Sequence, residues 1–171
     1  KDEQPLRLLA VDPTAAPSLT RGLYTFDYGD TARMAPIVKM HTLGHDFMPS
    51  PIHAGGLRYH GMSAQVSALK EAGLIEAVAL KQTKIFDAAL SFTKSEGILP
   101  APEAAHAICQ AMQEALACKE SGEAKTIVFN LSGHGHFDLG AYENYMAGNL
   151  SDYEFPEAEM QESLAHLPQV A

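Results

Sequence analysis

Short apolar runs alternate along the chain with longer stretches in which apolar residues recur at helical spacing. The runs predict buried strands at Leu6–Val11, Ile75–Leu80 and Thr126–Leu131. The longer stretches predict helices at Ser63–Ala72, Thr83–Ser95, Glu103–Lys119 and Leu139–Ala147, and a short helix in the acidic segment Asp152–Ala171. Because strands and helices alternate, the pattern predicts a layered α/β fold with a mainly parallel sheet.

The helical spacing also predicts where the helices begin and end and which side chains face the core. Ser63 is placed to cap the first helix, and Gly73 and Gly97 are placed to end the first two helices. The predicted inward side chains are, helix by helix, Val66 and Leu69; Ile85, Phe86, Ala89, Leu90 and Phe92; Ile108, Met112 and Leu116; and Met160, Leu164 and Leu167.

Two stretches lack a lasting period. Residues 14–40 combine scattered Gly and Pro with alternating aromatic residues, which predicts a long, ordered, irregular connection. Residues 41–62 hold four of the eight histidines. His41 and His45 have the spacing of a helical zinc pair, but a glycine and a proline disfavour a helix there and no cysteine is nearby. We therefore expect no metal site, and expect these histidines to hydrogen-bond irregular backbone.

Charge and composition narrow the classes of partner. The 171 residues carry a net charge of −9 with no basic run, which argues against nucleic acid and anionic membranes as partners. No apolar stretch has the length of a membrane span, and the polar amino-terminal residues do not resemble a signal peptide. Cys109 and Cys118 lie too far apart on one predicted helix to pair, so we expect free thiols and a reducing, cytoplasmic location.

The segment Thr126–Asp138 joins a predicted strand to a glycine-containing loop that opens a helix. Ligands of open α/β sheets bind where strands end, and glycines let a ligand approach the backbone. Ser132 is therefore a candidate to bind a ligand, the alternative being a tight connection without one. Glu103 begins a helix, where a carboxylate either takes part in acid-base chemistry or stabilises the helix dipole. Asp46 either satisfies loop amides or faces substrate.

Two segments, EGILPAPEAAHA at residues 96–107 and VFNLSGHGHFD at residues 128–138, closely resemble the carboxyl-terminal half of the tryptophan synthase beta chain. The SGHGHFD form, together with LGHDF and HAGGLRYHG within residues 41–62, resembles the second type of that chain. The resemblance implies a pyridoxal-phosphate enzyme of fold type II with three α/β/α layers. Residues 1–150 would be its cofactor domain and residues 151–171 an acidic tail.

The resemblance also implies a reaction and roles for four residues. A cytoplasmic homodimer would join L-serine and indole into L-tryptophan by β-replacement, with the cofactor doing the electronic work. Ser132 would hydrogen-bond the pyridine nitrogen of the cofactor, and Gly133 would lie against its ring. Glu103 would be the carboxylate beside the ring, and Asp46 would face the serine hydroxyl.

Further implications of the resemblance concern a cation and an absent part of the enzyme. Backbone carbonyls near His45, Phe47 and Ser50 would bind a monovalent cation. The Schiff-base lysine and the phosphate-binding loop of the family would lie upstream, so the chain resembles a carboxyl-terminal fragment that lacks an amino-terminal half. Ala104 stands where the family has a hydroxyl residue, which removes a capping group.

We therefore expect the isolated chain to be inactive, whether the parent enzyme uses serine or O-phosphoserine. The alternative is a non-catalytic folded module that self-associates or assembles with a missing half, because an incomplete sheet leaves an open edge and an uncovered apolar face.

Overall fold

The computed structural model describes residues 6–170, and the chain forms two compact units. The first unit contains residues 6–50, 58–79 and 154–170, and the second contains residues 51–57 and 80–153. The elements are, in chain order, β1 (Leu9–Pro13), α1 (Ser18–Arg21), β2 (Leu23–Tyr28), β3 (Ile37–Thr42), a 3-10 turn (Gly55–Leu57), α2 (Ala64–Glu71), β4 (Glu76–Leu80), α3 (Gln82–Glu96), α4 (Pro102–Ser121), α5 (Leu139–Met146) and α6 (Glu157–Leu164). This mixture of strands and helices confirms the predicted α/β class.

Two small sheets organise the first unit. β1 pairs with β4 in a parallel sheet. β2 and β3 form an antiparallel hairpin in which Leu23 lies opposite Thr42 and Tyr28 lies opposite Ile37. The hairpin shows that the prediction of an irregular connection over residues 14–40 was wrong, because the alternating aromatic residues there have the two-residue period of a strand.

Helix α2 begins and ends as predicted, but a different face of it is buried. The Ser63 hydroxyl accepts a first-turn N–H at 3.3 Å, and Gly73 follows the helix with a left-handed φ of 72°. Leu69, predicted to face inward, is 40% exposed, whereas Ser67 is fully buried. The Ser67 hydroxyl accepts the N–H of His41 in β3 at 2.9 Å. A hydrogen bond to a strand therefore sets the buried face of this helix instead of apolar packing.

Helices α3 and α4 pack against each other in the second unit. Ile85 and Phe86 of α3 and Ile108 of α4 are buried, as the helical spacing predicted. Met112 and Leu116, predicted to extend the buried face of α4, are 39% and 57% exposed. The prediction was wrong at these two positions because the buried residues of α4 all lie in its first half.

Residues 126–131 do not form the predicted strand. The stretch is irregular, and none of the strands within residues 6–170 pairs with it. Val128 is 87% exposed, so the segment is not buried on both faces. Phe129 is half-buried, and its ring contacts the ring of Phe92 with 5.8 Å between centroids. A strand needs a hydrogen-bonded neighbour. The apolar composition of residues 126–131 did not reveal that the described residues provide no such neighbour.

The acidic carboxyl-terminal segment holds the predicted short helix. α6 begins after Pro156, and Met160 on its inner face is 5% exposed. Arg21 of α1 donates to the Phe155 carbonyl at 2.5 Å and pairs with the Glu157 carboxylate at 2.7 Å. These contacts attach α6 to the remainder of the first unit.

The two cysteines, Cys109 and Cys118, are free, as the sequence predicted. Within residues 6–170, no helix combines the length and apolar character that crossing a membrane requires.

Candidate functional site

The glycine-containing loop Ser132–Asp138 lies beside the residues that begin α4. The Ala101 N–H donates to the Gly133 carbonyl at 2.9 Å, and the Gly135 N–H donates to the Leu99 carbonyl at 2.8 Å. These two backbone hydrogen bonds bring three of the predicted site residues into one region of the second unit, although the loop and the start of α4 are separated by about 30 residues.

The Tyr142 hydroxyl fixes the same region from α5. It donates to the Pro100 carbonyl at 2.6 Å, and burial raises the pKa of this hydroxyl, so it keeps its proton. Gly135 is required because a Cβ atom there would lie 2.5 Å from the Pro100 carbonyl oxygen. The loop and the segment before α4 therefore approach each other more closely than any residue with a side chain at position 135 would allow.

Glu103 lies in the first turn of α4, where a negative charge is favoured by the helix dipole. Its Oε1 accepts the N–H of Gly56 at 2.8 Å. A Cβ atom at Gly56 would lie 3.3 Å from this carboxylate oxygen, so glycine permits the close contact. The carboxylate is thus oriented by backbone, and Oε2 makes no hydrogen bond to the residues that the structure describes.

Ser132 is exposed, and its hydroxyl has no hydrogen-bond partner within residues 6–170. Gly133 is half-buried, and a Cβ atom there would lie 3.1 Å from the Ala101 Cβ, so packing within the protein already favours a glycine. A free hydroxyl near a glycine and an oriented carboxylate has the chemistry to recognise a pyridine ring. Neither the loop nor the first turn of α4 contains Lys or Arg, so these residues do not supply charged donors for a phosphate group.

Asp138 belongs to the same region, although it was not predicted as a site residue. Burial is the main cause that raises the pKa of its carboxyl, and the charge of Glu103 raises it further, while His134 and His53 lower it. Two carboxylates and two imidazoles are therefore within electrostatic range in the second unit. The position of Asp138 at the end of the SGHGHFD motif was the available signal, whereas the proximity of His53 depends on the folded chain.

Asp46, the fourth predicted site residue, belongs to the first unit. Its Oδ2 lies 3.0 Å from Nδ1 of His166 and 3.8 Å from Nη2 of Arg33. Its Oδ1 lies 3.8 Å from Nε2 of the buried His45, and the Asp46 side chain is 34% exposed. It lines a cavity of about 220 Å³ together with Phe155 and residues of α6. The partners of this carboxylate are therefore basic side chains rather than loop amides. No sequence pattern pointed to His166 or Arg33 as those partners.

The carbonyls implied for a monovalent cation already have protein donors in two places. The His45 carbonyl accepts the Thr31 hydroxyl at 2.9 Å, and the Ser50 carbonyl accepts Nη1 of Arg58 at 3.2 Å. Over the described part of the chain, no group of three or more His, Cys, Asp or Glu side chains is arranged to hold a metal ion.

Two of the four histidines of residues 41–62 bond to backbone, as predicted. Nδ1 of His41 donates to the Gly22 carbonyl at 3.2 Å, and Nε2 of His60 donates to the Tyr28 carbonyl at 2.7 Å. His45 differs, because its ring bonds to a buried carboxylate.

The chain is similar to curated tryptophan synthase beta chains. It is 59% identical over 152 residues, 89% of this chain, to tryptophan synthase beta chain 2 of Aquifex aeolicus. It is 58% identical over 144 residues, 84% of this chain, to tryptophan synthase beta chain 2 of Methanosarcina acetivorans. It is 55% identical over 146 residues, 85% of this chain, to the tryptophan synthase beta chain of Thermococcus onnurineus.

These alignments cover 35%, 33% and 33% of the three relatives, so the chain spans about a third of their length. No family model matches the chain. The resemblance to the tryptophan synthase beta chain, predicted from the sequence motifs, is confirmed by these identities.

Proposed function

We propose that this chain is the carboxyl-terminal part of a pyridoxal-phosphate-dependent lyase that makes L-tryptophan. The parent enzyme would combine indole with L-serine, or with O-phosphoserine, by β-replacement. It would be a cytoplasmic homodimer completed by an amino-terminal portion that supplies the cofactor lysine. The observation that best supports the proposal is that Ser132 and Gly133 lie beside the first turn of α4, with the Ser132 hydroxyl exposed and without a partner among the described residues.

Each predicted site residue has a distinct role in this proposal. When bound, pyridoxal phosphate withdraws electrons from the amino acid and so weakens the bonds at its α carbon. The Ser132 hydroxyl would hydrogen-bond the pyridine nitrogen, and a neutral partner there leaves that nitrogen largely unprotonated. Gly133 would line the ring, and the Asp46 carboxylate would accept a hydrogen bond from the hydroxyl of the substrate serine.

Glu103 would act as the carboxylate beside the ring. Because Gly56 already holds its Oε1 at 2.8 Å, this carboxylate would be oriented before the cofactor arrives, and Oε2 would remain available. Orientation in advance removes an entropic penalty from binding, which favours a contribution of Glu103 to cofactor affinity.

The proposal is tested by titrating the chain with pyridoxamine phosphate and following ligand fluorescence. This probe has the ring and phosphate of the cofactor but no aldehyde, so it cannot condense with surface lysines. We expect weak, saturable binding that falls several-fold in Ser132→Ala, which loses one hydrogen bond. Ser91→Ala, at an exposed position of α3, is the control and should bind like the wild type. Equal binding by all three proteins would contradict a ring site at Ser132.

The predicted inactivity of the isolated chain has its own test. Supplied with pyridoxal phosphate, L-serine and indole, the chain should form no L-tryptophan, because the lysine that the family uses is expected in the absent portion. Tryptophan formation above the level of cofactor alone would show that a lysine of this chain is activated, and the proposed division of the site would be wrong.

A second candidate function is a non-catalytic module that associates with another copy. The irregular segment at residues 126–131 supports it, because its backbone has no strand partner among the described residues and Val128 is 87% exposed. Phe137 in the neighbouring loop is 93% exposed. A segment whose backbone lacks a strand partner and whose apolar side chains are exposed is a candidate site for strand addition.

Sedimentation velocity distinguishes this candidate. A concentration-dependent dimer that dissociates in Val128→Lys would favour it, because a lysine on an open edge opposes pairing. Leu116→Lys is the matched control, since Leu116 is an exposed apolar residue of the same unit on α4. A monomer at all concentrations, or equal dissociation in both variants, would count against association through residues 126–131.

A further inference from the structure

We infer that His166 is a positioning residue that fixes the Asp46 carboxylate, with Arg33 as a weaker partner. The inference rests on the proposed role of Asp46 toward the substrate hydroxyl. Nδ1 of His166 lies 3.0 Å from Oδ2 of Asp46, within hydrogen-bond distance, whereas Nη2 of Arg33 lies 3.8 Å from the same oxygen. His166 therefore supplies a directional constraint, and Arg33 mainly supplies charge.

The packing of α6 against Gly44, together with that of the preceding Phe155 against Phe47, fixes where His166 lies. Gly44 has a φ of 95°, and a Cβ atom there would collide with the side chain and backbone of Ser163 in α6. The rings of Phe47 and Phe155 meet edge to face with 4.7 Å between centroids. Both contacts involve the chain immediately around position 46, so α6 and the residue that leads into it cannot shift without breaking them. His166, two residues beyond the end of α6, is thereby placed next to the Asp46 carboxylate.

Arg33 reaches the same carboxylate from the turn that joins β2 to β3. It has a φ of 59° and is the only residue other than glycine with a positive φ within the described range. Asp30 stabilises the turn by accepting two of its backbone N–H groups at 3.2 and 2.6 Å. The guanidinium lies 5.7 Å from the centroid of the Tyr28 ring. A left-handed arginine is energetically unfavourable, and such strain is characteristic of residues at functional sites.

The consequence concerns the orientation of Asp46. A free aspartate side chain samples three staggered χ1 rotamers, and a hydrogen bond to one oxygen favours the rotamer that makes it. The His166 contact occupies Oδ2, whereas Oδ1 is 3.8 Å from its nearest basic partner, His45, and stays available to a substrate hydroxyl. The segment after α6 thus contributes to substrate recognition through Asp46 without contacting the substrate.

The test is the χ1 distribution of Asp46 in this 171-residue chain, measured by three-bond NMR couplings to its carboxyl carbon. His166→Ala should lower the ratio of the dominant rotamer to the others by about fivefold, the value expected for one hydrogen bond. His166→Asn, whose side-chain amide can donate, should restore most of that ratio. Arg33→Ala should cause a smaller change, and His136→Ala, an exposed histidine of the second unit, should cause none.

Backbone chemical shifts of α6 show whether each variant keeps the helix. If His166→Ala loses the helix, the comparison of χ1 distributions is made between wild type and His166→Asn. The inference is overturned if the χ1 distribution of Asp46 is the same in wild type and His166→Ala. It is also overturned if Asp46 populates its rotamers as evenly in His166→Asn as in His166→Ala. The couplings report only whether His166 orders Asp46. A negative result therefore leaves the Ser132 binding test intact, and failure of cofactor binding leaves the coupling result intact.

Discussion

Nδ1 of His45 lies 2.7 Å from Oδ1 of Asp27, and both side chains are fully buried. The Thr42 hydroxyl donates to Oδ2 of Asp27 at 2.6 Å, and the Tyr28 N–H donates to Oδ1 at 2.8 Å. A buried carboxylate is tolerated only when such donors replace water. This network therefore joins both strands of the β2–β3 hairpin to the residue that precedes Asp46.

Thr42→Val should destabilise the first unit through this network. The change keeps the shape of the side chain but removes a donor to a buried carboxylate, so we expect the free energy of unfolding to fall by about 1–3 kcal/mol. Urea denaturation measures it. Thr25→Val, a half-buried position on β2 opposite Met40, is the control and should change stability by less than about 0.5 kcal/mol. Equal losses in both variants would mean that the Thr42 hydroxyl contributes no more to stability than a threonine hydroxyl outside the network.

Gly135→Ala should disrupt the loop in the candidate cofactor region. The added Cβ would lie 2.5 Å from the Pro100 carbonyl oxygen, so the backbone must move, which destabilises the second unit by about 1–3 kcal/mol. Gly140→Ala in α5 is the matched control, because nothing lies within 4 Å of its added Cβ and alanine favours the helix by up to about 1 kcal/mol. If thermal unfolding shows no greater loss of stability in Gly135→Ala than in Gly140→Ala, the close approach of residue 135 to the Pro100 carbonyl would be contradicted.

The helices were predictable from sequence because their signals are local. Apolar spacing located α3, and Gly97 ends it with a left-handed φ of 72°. Strands depend on partners that are distant in sequence, so the apolar composition of residues 126–131 predicted an element for which no described residue is a partner. The hairpin over residues 23–42 was missed for the converse reason, since its pairing was hidden by an irregular composition.

The candidate site was also predictable from sequence only in part. The motif resemblance identified Ser132 and Glu103, which the fold brings into one region of the second unit. The partners of Asp46 were not predictable, because His166 is separated from it by 120 residues and has no distinctive local context. Local sequence can suggest the group that acts, whereas the group that orients it depends on tertiary packing.

Arg21→Gln should loosen α6. It removes the ion pair with Glu157 and weakens the bond to the Phe155 carbonyl, so amide hydrogens near Met160 should exchange several-fold faster. Arg7→Ala, which removes another arginine–glutamate pair, is the control and should leave exchange in α6 unchanged. If exchange at Met160 is the same in wild type and Arg21→Gln, then these contacts do not hold α6 in place. The position of His166 would then depend on the packing of α6 alone.

Asp12 should make the stability of the first unit depend on pH. Burial raises the pKa of its carboxyl from 3.8 to about 6, and the N–H groups of Leu19 and Thr20, 2.8 and 3.3 Å from Oδ2, offset only part of this effect. The pKa is higher in the folded state than in the unfolded state, so the folded state favours the protonated form. The stabilising contribution is complete below about pH 4 and is lost as the pH rises through about 6.

Asp12→Asn removes this titration while keeping an oxygen that accepts the same N–H groups. Between pH 4 and pH 7 the wild type should therefore lose on the order of 2–3 kcal/mol of unfolding free energy relative to the variant. Asp30→Asn is the contrast: backbone hydrogen bonds lower the pKa of Asp30 below its ordinary value of 3.8, so its stabilising contribution is lost only below this pH range. Wild type and Asp30→Asn should therefore give parallel curves between pH 4 and pH 7. Urea denaturation across this pH range gives the comparison. Parallel curves for wild type and Asp12→Asn would mean that the Asp12 carboxyl is ionised without penalty, and that the end of β1 is more hydrated than its 4% exposure implies.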